Sequence, residues 1–324
     1  MSSAPADFNS LEQAAEWYAT LRSDDASERD QAAWRQWLAE RPQHRSAWQH
    51  IEAIGQRFET LRQPGEQHAA AAGIAAARQP MARRRALNRL AVIAGTGLLG
   101  WSAWRHAPLQ QTVMAWAAEH RTGTGEIRDL QLTDGTRVWL NTASALDVDY
   151  QPSLRRLKLV AGEVLIQTAH EAERHFVVDT AQGRVRALGT RFTLRQAEGE
   201  TLLSVYEGAV EIKTASSGQQ RVIAAGSQAR FTADTIATPS AADPAREAWS
   251  RGVLLADELP LRDLIAELAR YKAGHLGVSP EIGHLRVMGA YPLRDPERAL
   301  SMIEEALPVR VKRTLPWWVT VEAR

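Results

Sequence analysis

The chain contains no cysteine. Disulfide bonds, thiolate zinc sites, iron–sulfur clusters and thiol catalysis are therefore excluded. It also lacks an excess of either charge, because 39 lysines and arginines stand against 38 aspartates and glutamates in 324 residues. A nearly neutral chain has no bulk attraction for a phosphate backbone, so we predict no direct binding to nucleic acid.

Catalytic and cofactor-binding motifs are missing as well. His170-Glu171 resembles the start of a zinc-protease helix, but the second histidine of that motif would lie at position 174, which is Arg174. The glycine pair in residues 123–125 lacks the third glycine of a phosphate-binding loop. We therefore predict no enzyme activity, no cofactor and no metal site. The alternative is an enzyme whose catalytic residues lie far apart in the sequence.

The chain has one long apolar run. Residues 90–104 contain no charged side chain, but these fifteen residues are fewer than the roughly 20 that cross a typical membrane. Five arginines precede the run, two follow it, and tryptophans close its far end. This is the positive-inside asymmetry and aromatic anchor of a membrane helix. The candidate membrane-anchor residues are Arg84, Arg85, Trp101 and Trp104.

A membrane helix needs a slightly longer segment than this run. If the Arg89 side chain extends toward the lipid headgroups, residues 87–104 supply about 18 residues, enough for a thin bacterial membrane. We therefore predict one transmembrane helix at residues 87–104. A buried core helix and a cleaved signal sequence are the alternatives, although a signal sequence starts near residue 1. Arg84-Arg85 also resembles a twin-arginine signal, which leaves the export route open.

Residues 1–62 predict a small bundle of three α-helices. The second helix ends before Pro42, because proline cannot continue a helix, and the third follows it. Two capping boxes, each a polar residue followed three positions later by a side chain that can reach back, mark the first two helix starts. The pairs are Ser10 with Gln13 and Ser27 with Asp30.

Four tryptophans are many for so small a unit. They either form its core, since a small bundle needs large side chains to bury enough area, or contact a partner helix. Residues 1–77 also hold eleven acidic residues against seven arginines, a net charge of about −4, which suits a basic partner. The tryptophans are Trp17, Trp34, Trp37 and Trp48.

The remaining segments predict two further domains and two linkers. Residues 63–86, rich in Ala, Gly, Gln and Pro, form a linker. In residues 105–238 apolar and polar residues alternate, and glycines mark turns, among them one at Asp134-Gly135 and one at Gly162. This pattern predicts an antiparallel all-β sandwich or roll. Residues 239–249 form a second linker. Residues 250–324 alternate strand and helix, which predicts a small α+β domain of two strand-helix-strand units.

Seven motifs follow one another along the chain: AAEWYATLRS (14–23), AAWRQWLAERPQHRSAWQHIE (32–52), LTDGTRVWLNTASAL (132–146), LVAGEV (159–164), VRALGTRFTLR (185–195), VYEGAVEI (205–212) and AAGSQARF (224–231). In this order they resemble FecR-type transmembrane sigma-factor regulators of Gram-negative bacteria. Two N-terminal motifs resemble the cytoplasmic anti-sigma domain of that family, and five resemble its FecR domain. Residues 250–324 resemble the short N-terminal domain of secretins and TonB-dependent receptors.

The resemblance implies an inner-membrane regulator with a cytoplasmic N-terminus and a periplasmic C-terminus. The signalling domain of a TonB-dependent outer-membrane receptor, usually one for an iron-siderophore complex, would contact the C-terminal half. Membrane-embedded and periplasmic proteases would then act, and an extracytoplasmic-function (ECF) sigma factor held by the N-terminal bundle would be freed or activated. The alternative is an envelope-anchored periplasmic binding or structural module without sigma-factor control.

The candidate contact residues follow from this reading. The four tryptophans Trp17, Trp34, Trp37 and Trp48 are the candidates for sigma-factor binding. For receptor binding we expect the helix at residues 261–272 and an edge strand at residues 285–291, where strand addition can occur, to be exposed. The receptor-binding candidates are Leu261, Leu264, Leu268, Val287 and Tyr291.

Overall fold

The described residues of the computed structural model form two compact units. The first, here called the helical unit, comprises the described parts of residues 1–107, 274–281 and 310–324, and the second, the β unit, those of residues 108–273 and 282–309. The structure therefore divides residues 250–324 between the two units. The described residues are 7–23, 26–62, 115, 118–169, 171, 174–187 and 189–324.

Three α-helices form the N-terminal part of the helical unit. The first begins two residues before Ser10, because Asp7 is its N-cap and accepts a hydrogen bond from Ser10 N at 2.8 Å. Ser10 itself is buried in the first turn, so the predicted capping box there is wrong. The second box is confirmed, since Ser27 and Asp30 cap each other at the start of α2. The helices are α1 (Phe8–Leu21), α2 (Glu28–Glu40) and α3 (Pro42–Arg62).

A three-stranded sheet from the C-terminal part of the chain completes the helical unit. Strand β15 (His275–Val278) pairs in parallel with β18 (Trp318–Ala323), and β17 (Val309–Leu315) lies on the other side of β18. Trp317 and Trp318 belong to the same apolar cluster as the buried residues of α1, α2 and α3. The helices and this sheet therefore share one core.

The β unit begins with thirteen strands. Their pairing is antiparallel except between β5 and β6, which pair in parallel, so the predicted all-antiparallel arrangement is corrected at that pair. The strands are β1 (His120–Arg121), β2 (Arg128–Gln131), β3 (Arg137–Leu140), β4 (Ala145–Gln151), β5 (Leu154–Gln167), β6 (His175–Asp179), β7 (Gly183–Ala187), β8 (Arg191–Ala197), β9 (Glu200–Glu207), β10 (Ala209–Thr214), β11 (Gln220–Ala224), β12 (Ser227–Phe231) and β13 (Ser240–Ala241).

The long strand β5 connects two halves of this β structure. Its first half pairs with β4 and β6, and its second half pairs with β3 and β8. The change of partners falls at Gly162, whose φ of 84° favours glycine. A methyl group at Gly162 would lie 2.2 Å from Ser144 Oγ. Gly162 therefore forms a corner within one strand, where the alternation pattern predicted a turn between two strands.

Apolar side chains from both halves of β5 and from its neighbours fill one core. Because side chains alternate across a strand, every second residue of these strands lies inside, as the period of two predicted. The innermost side chains are fully buried. They include Val138, Leu140, Leu146, Leu159, Val164, Ile166, Phe176, Phe192, Leu194, Leu203, Val205, Val210 and Ile212.

Two helices and a strand pair follow the thirteen strands. Strands β14 (Val253–Pro260) and β16 (Arg286–Pro292) pair antiparallel, with a register shift between Ala256 and Leu259. Helix α4 (Leu261–Ala269) packs against both strands. Part of the segment predicted as a linker at residues 239–249 is structured, since it contains β13 and most of a 3₁₀ helix. The other elements are the 3₁₀ helix (Pro244–Arg251) and α5 (Pro296–Ala306).

The predicted fold class is corrected in one respect. It included a transmembrane helix at residues 87–104, but none of the described helices is long and apolar enough to cross a membrane. The longest of them, α3, has 21 residues and carries Arg45 and Glu52 in its sequence. Residues 87–104 lie outside the described residues, as do the four candidate membrane anchors.

Candidate partner-binding surfaces

The four predicted tryptophans come together in the core of the helical unit, with different exposure. Trp37 is 8% exposed and lies at the centre. Its Nε1 donates to Gln13 Oε1 at 2.8 Å, and the His44 ring stacks on its indole at a centroid distance of 4.4 Å. Trp37 is therefore a core residue that connects α1, α2 and α3, as the core interpretation of the tryptophans predicted.

The other three tryptophans are half-buried at the border of this cluster. The rings of Trp34 and Trp48 lie 4.9 Å apart at an angle of 56°, and the Trp48 ring lies 6.0 Å from that of Tyr18. Trp34 Nε1 is buried and has no hydrogen-bond partner among the described residues. Trp17, Trp34 and Trp48 thus keep part of their surface exposed, and their contact with a sigma factor stays a prediction.

Two C-terminal tryptophans that we did not identify from the sequence join the same cluster. The Trp317 ring meets the Tyr18 ring edge to face at 5.5 Å. His275 stacks on Trp318 at 3.6 Å, and burial lowers the pKa of His275 to about 4, with the charge of His50 adding to the effect. The dipeptide Trp317-Trp318 was visible in the sequence, but no pattern related it to helices about 300 residues earlier.

A small charged cluster connects α1 with β17 of the helical unit. Lys312 Nζ contacts Glu12 Oε1 at 2.7 Å and Glu16 Oε1 at 2.8 Å. Burial raises the pKa of Glu12, and a hydrogen bond shared with Glu322 raises it further. Burial acts to lower the pKa of Lys312, but the two glutamates outweigh it and raise that pKa above its ordinary value. The acidic face of α1 therefore holds a lysine of the same unit.

The five residues predicted to bind a receptor lie in the interior of the β unit. Their exposed fractions are between 0 and 2%. The expectation that they are exposed is wrong, because an apolar stripe at helical spacing is buried wherever the chain itself supplies a core. A receptor contact through this region stays a prediction. The five residues are Leu261, Leu264, Leu268, Val287 and Tyr291.

A buried polar network connects α4 with the strands of the β unit. Arg270 donates to Glu163 at 2.7 Å and to Glu267 at 2.8 Å, and Glu267 also accepts from Arg195. Burial would raise the pKa of Glu267, but the charges of the two arginines lower it below its ordinary value. Tyr271 donates to Asn141, whose side chain is fully buried. The network could not be predicted from the sequence, because its partners lie 72 to 130 positions apart, except for the neighbouring pair Glu267 and Arg270.

The outer side of the β14–β16 pair exposes apolar side chains. Leu255 is 38% exposed and Met288 64%, and they are two of three large apolar residues found exposed in the described part of the chain. No group of three or more potential metal ligands occurs in that part. The exposed side chains of Leu255 and Met288 suit a contact with another protein.

Comparison with known proteins identifies two regions of the chain. Residues 118–211, from just before β1 into β10, match the FecR family, described as FecR protein. Residues 12–54, across α1, α2 and most of α3, match a domain of unknown function, DUF4880. The resemblance to the FecR family noted in the sequence is thereby confirmed. A search of the curated proteins found no match.

Two solved structures share the fold. Both are of candidate anti-sigma factors from Parabacteroides distasonis, at 2.50 Å and 1.65 Å resolution. Each is 20% identical to this chain, with TM-scores of 0.51 and 0.52. The alignments cover 63% of this chain and 98% of each of those chains. At this level of identity the likeness concerns the fold.

Proposed function

We propose that this chain, which carries a FecR-family domain at residues 118–211 and a DUF4880 region at residues 12–54, is an anti-sigma regulator. Its N-terminal helices bind a sigma factor of the ECF class, and it acts by binding rather than by catalysis. The observation that carries the proposal is the tryptophan cluster of the helical unit, where Trp17, Trp34 and Trp48 keep exposed surface around a buried centre.

The chemistry of this surface supports a sigma factor as partner. Tryptophans at the border of a packed cluster supply large contact areas at low entropic cost, which is typical of binding hot spots. The helices also carry more acidic than basic residues. Sigma factors bind DNA through basic faces, and complementary charge accelerates and selects an encounter.

The signal input is proposed from the family resemblance. The β unit receives a signal from the signalling domain of a TonB-dependent outer-membrane receptor, in iron-siderophore uptake, and proteases release the sigma factor. Localisation at the bacterial inner membrane stays a prediction, which fractionation of cells that produce the tagged chain tests directly.

A pull-down tests sigma-factor binding. The tagged full chain is recovered from a Gram-negative host and its partners are identified by mass spectrometry. We expect one ECF sigma factor, and we expect Trp17→Ala to reduce its recovery at least tenfold, since hot-spot truncations cost about 2 kcal/mol or more. Trp17 is the suitable site because it is half-buried at the border of the cluster, whereas Trp37 supports its centre.

The matched control is Trp139→Ala, which removes a half-buried tryptophan from β3 of the β unit. It should leave the recovery unchanged. Circular dichroism should show the wild-type helix content for both variants. Recovery of no sigma factor by a folded wild-type chain would favour the envelope-anchored periplasmic binding or structural module instead.

A further inference from the structure

A cavity beside β14 has the features of a binding site that the proposed function does not use. Its volume is about 220 Å³, and it lies between the 3₁₀ helix, β14 and α4 of the β unit. Its apolar wall is formed by Trp249, Leu254, Leu255, Leu259, Ala266 and Leu293. Small-molecule sites usually have about 300–1,000 Å³, so this cavity matches a single large side chain.

One buried polar atom at this cavity has no partner. Trp249 is 5% exposed, and its Nε1 is buried without a hydrogen-bond acceptor among the described residues. A buried donor normally has an acceptor. Trp249 also lines the cavity, so the resonance of its indole N–H should shift when a side chain enters.

The strand beside the cavity has an unpaired edge. Within the described strands β14 pairs with β16 only. Residues 253–256, which precede the register shift, form the regular part of that ladder. Their backbone makes no further hydrogen bond among the described residues. An extended peptide can pair with such an edge and place alternate side chains in neighbouring pockets.

The charges around the cavity indicate which residues suit the positions next to a side chain that is inserted into it. Four acidic residues and three arginines line it. Glu163, Glu267, Arg195 and Arg270 satisfy one another in the network described above. The remaining lining groups are Asp243, Asp263 and Arg246, which gives one more carboxylate than cation. Asp263 also lies 3.7 Å from Arg262 Nε, but both side chains are more than half exposed, and a pair of this kind is weak. This acidic excess complements a basic residue next to the anchoring side chain.

We propose that the cavity binds an extended segment of a partner protein, which pairs with the edge of β14, inserts one large apolar side chain and carries a lysine or arginine beside it. The exposed Leu255 at the cavity extends the apolar contact. Glu267 and Arg270 line the inner wall, so an inserted side chain also meets the network that holds α4 to the strands. The site lies in the β unit and does not depend on sigma-factor binding.

A peptide panel tests the proposal on the full chain. The probes are acetylated Lys-Val-X-Val-Lys amides, with X varied over the standard residues, and a second set with glutamate at both ends. Binding is measured by calorimetry and by the NMR shift of the Trp249 indole N–H, assigned with Trp249→Phe. We expect the Phe and Leu peptides to bind at least tenfold more tightly than the Ala peptide, and the acidic set to bind more weakly.

A pair of variants on α4 locates the binding. Ala266 is exposed and lines the cavity, so Ala266→Trp fills it without changing the core, and we expect loss of binding. Arg262→Trp introduces the same side chain on the same helix at an exposed position that does not line the cavity. It also removes the 3.7 Å contact of Arg262 with Asp263, which frees a rim carboxylate, so it should bind the lysine peptides at least as tightly as the wild type does. Both should show unchanged thermal unfolding.

Three results would overturn the proposal. The first is that no peptide of either set binds the wild-type chain. In the second, Ala266→Trp binds the Phe peptide as well as Arg262→Trp does. The third is a wild-type dimer that Ala266→Trp converts to a monomer, since a second copy of the chain would then occupy the cavity.

Discussion

The ion pair between Asp134 and Arg155 provides the sharpest test of how the β unit is stabilised. Both side chains are buried, at 1% and 4% exposure, and Arg155 Nη1 donates to Asp134 Oδ2 at 2.8 Å. Asp134 also accepts hydrogen bonds from Thr136 and from Tyr150. Asp134→Asn removes the charge at nearly constant volume, so Arg155 loses its closest counterion.

The expected cost follows from the burial of the arginine that is left behind. Removing one partner of a buried pair typically costs about 3–5 kcal/mol. Glu171, whose carboxylate lies 3.5 Å from Arg155 Nε, compensates in part, so we expect the lower end of that range. For a unit of this size each kcal/mol lowers Tm by roughly 2–4 °C, which gives a decrease of roughly 6–12 °C.

The assay is thermal unfolding of the full chain, followed by the β-sheet signal in circular dichroism at pH 7. The matched control is Asp149→Asn, which breaks a pair with Arg156 in which the side chains are 43% and 37% exposed. Exposed pairs contribute little, so this variant should unfold as the wild type does. Equal unfolding temperatures for the two variants would refute the reasoning.

The pH dependence provides an independent check. Burial disfavours the charged form of Asp134, but hydrogen bonds from Thr136, Arg155 and Tyr150 outweigh this and lower its pKa. A carboxylate with a lowered pKa in the folded state contributes stability above its unfolded pKa of about 4, and the contribution is lost as the pH falls through the folded pKa. The difference in Tm between wild type and Asp134→Asn should therefore be constant near neutral pH and shrink below about pH 4.

Two further predictions concern the strand corner and the two ends of the chain. Gly162→Ala should lower the free energy of unfolding, measured in urea, by more than about 1 kcal/mol, because the Gly162 backbone is left-handed and Ser144 occupies the space of the new methyl group. The control is Gly199→Ala, whose backbone is also left-handed but whose surroundings are open, and it should lower that free energy less. In the cysteine-free chain, Glu12→Cys with Lys312→Cys should be cross-linked within one molecule of the purified protein by a short bis-maleimide, because these side chains touch in the helical unit. Absence of the cross-link in the folded, purified chain would contradict the shared core of the helices and the C-terminal sheet.

The local features of the fold could be predicted from the sequence. The capping box of Ser27 and Asp30, the stop before Pro42 and the period of two in the β unit depend on neighbours a few residues apart, and the structure confirms them. The corner at Gly162 was mistaken for a turn, because a glycine with positive φ looks the same in a hairpin and within a strand that changes partners. Its role depends on Ser144, which lies on another segment.

The polar contacts could not be predicted, because their partners are brought together only by the topology. The sequence predicts a turn at Asp134-Gly135, yet the burial of Asp134 depends on Arg155, 21 positions later. The network of Glu163, Glu267 and Arg270 spans more than 100 positions. Alternation of polar and apolar residues says which side of a strand faces inward, but not which charges meet there.

The candidate contact residues on α4 show where the pattern of the sequence is ambiguous. An apolar stripe predicts a buried face, but the stripe can be buried against the same chain or against a partner. Here β14 and β16 supply the core, so Leu261, Leu264 and Leu268 face inward. A partner that approaches α4 must then meet its other face. That face includes Asp263 and Ala266, which line the cavity beside β14. Because the predicted residues are buried, the accessible face of α4 is the one at the proposed site.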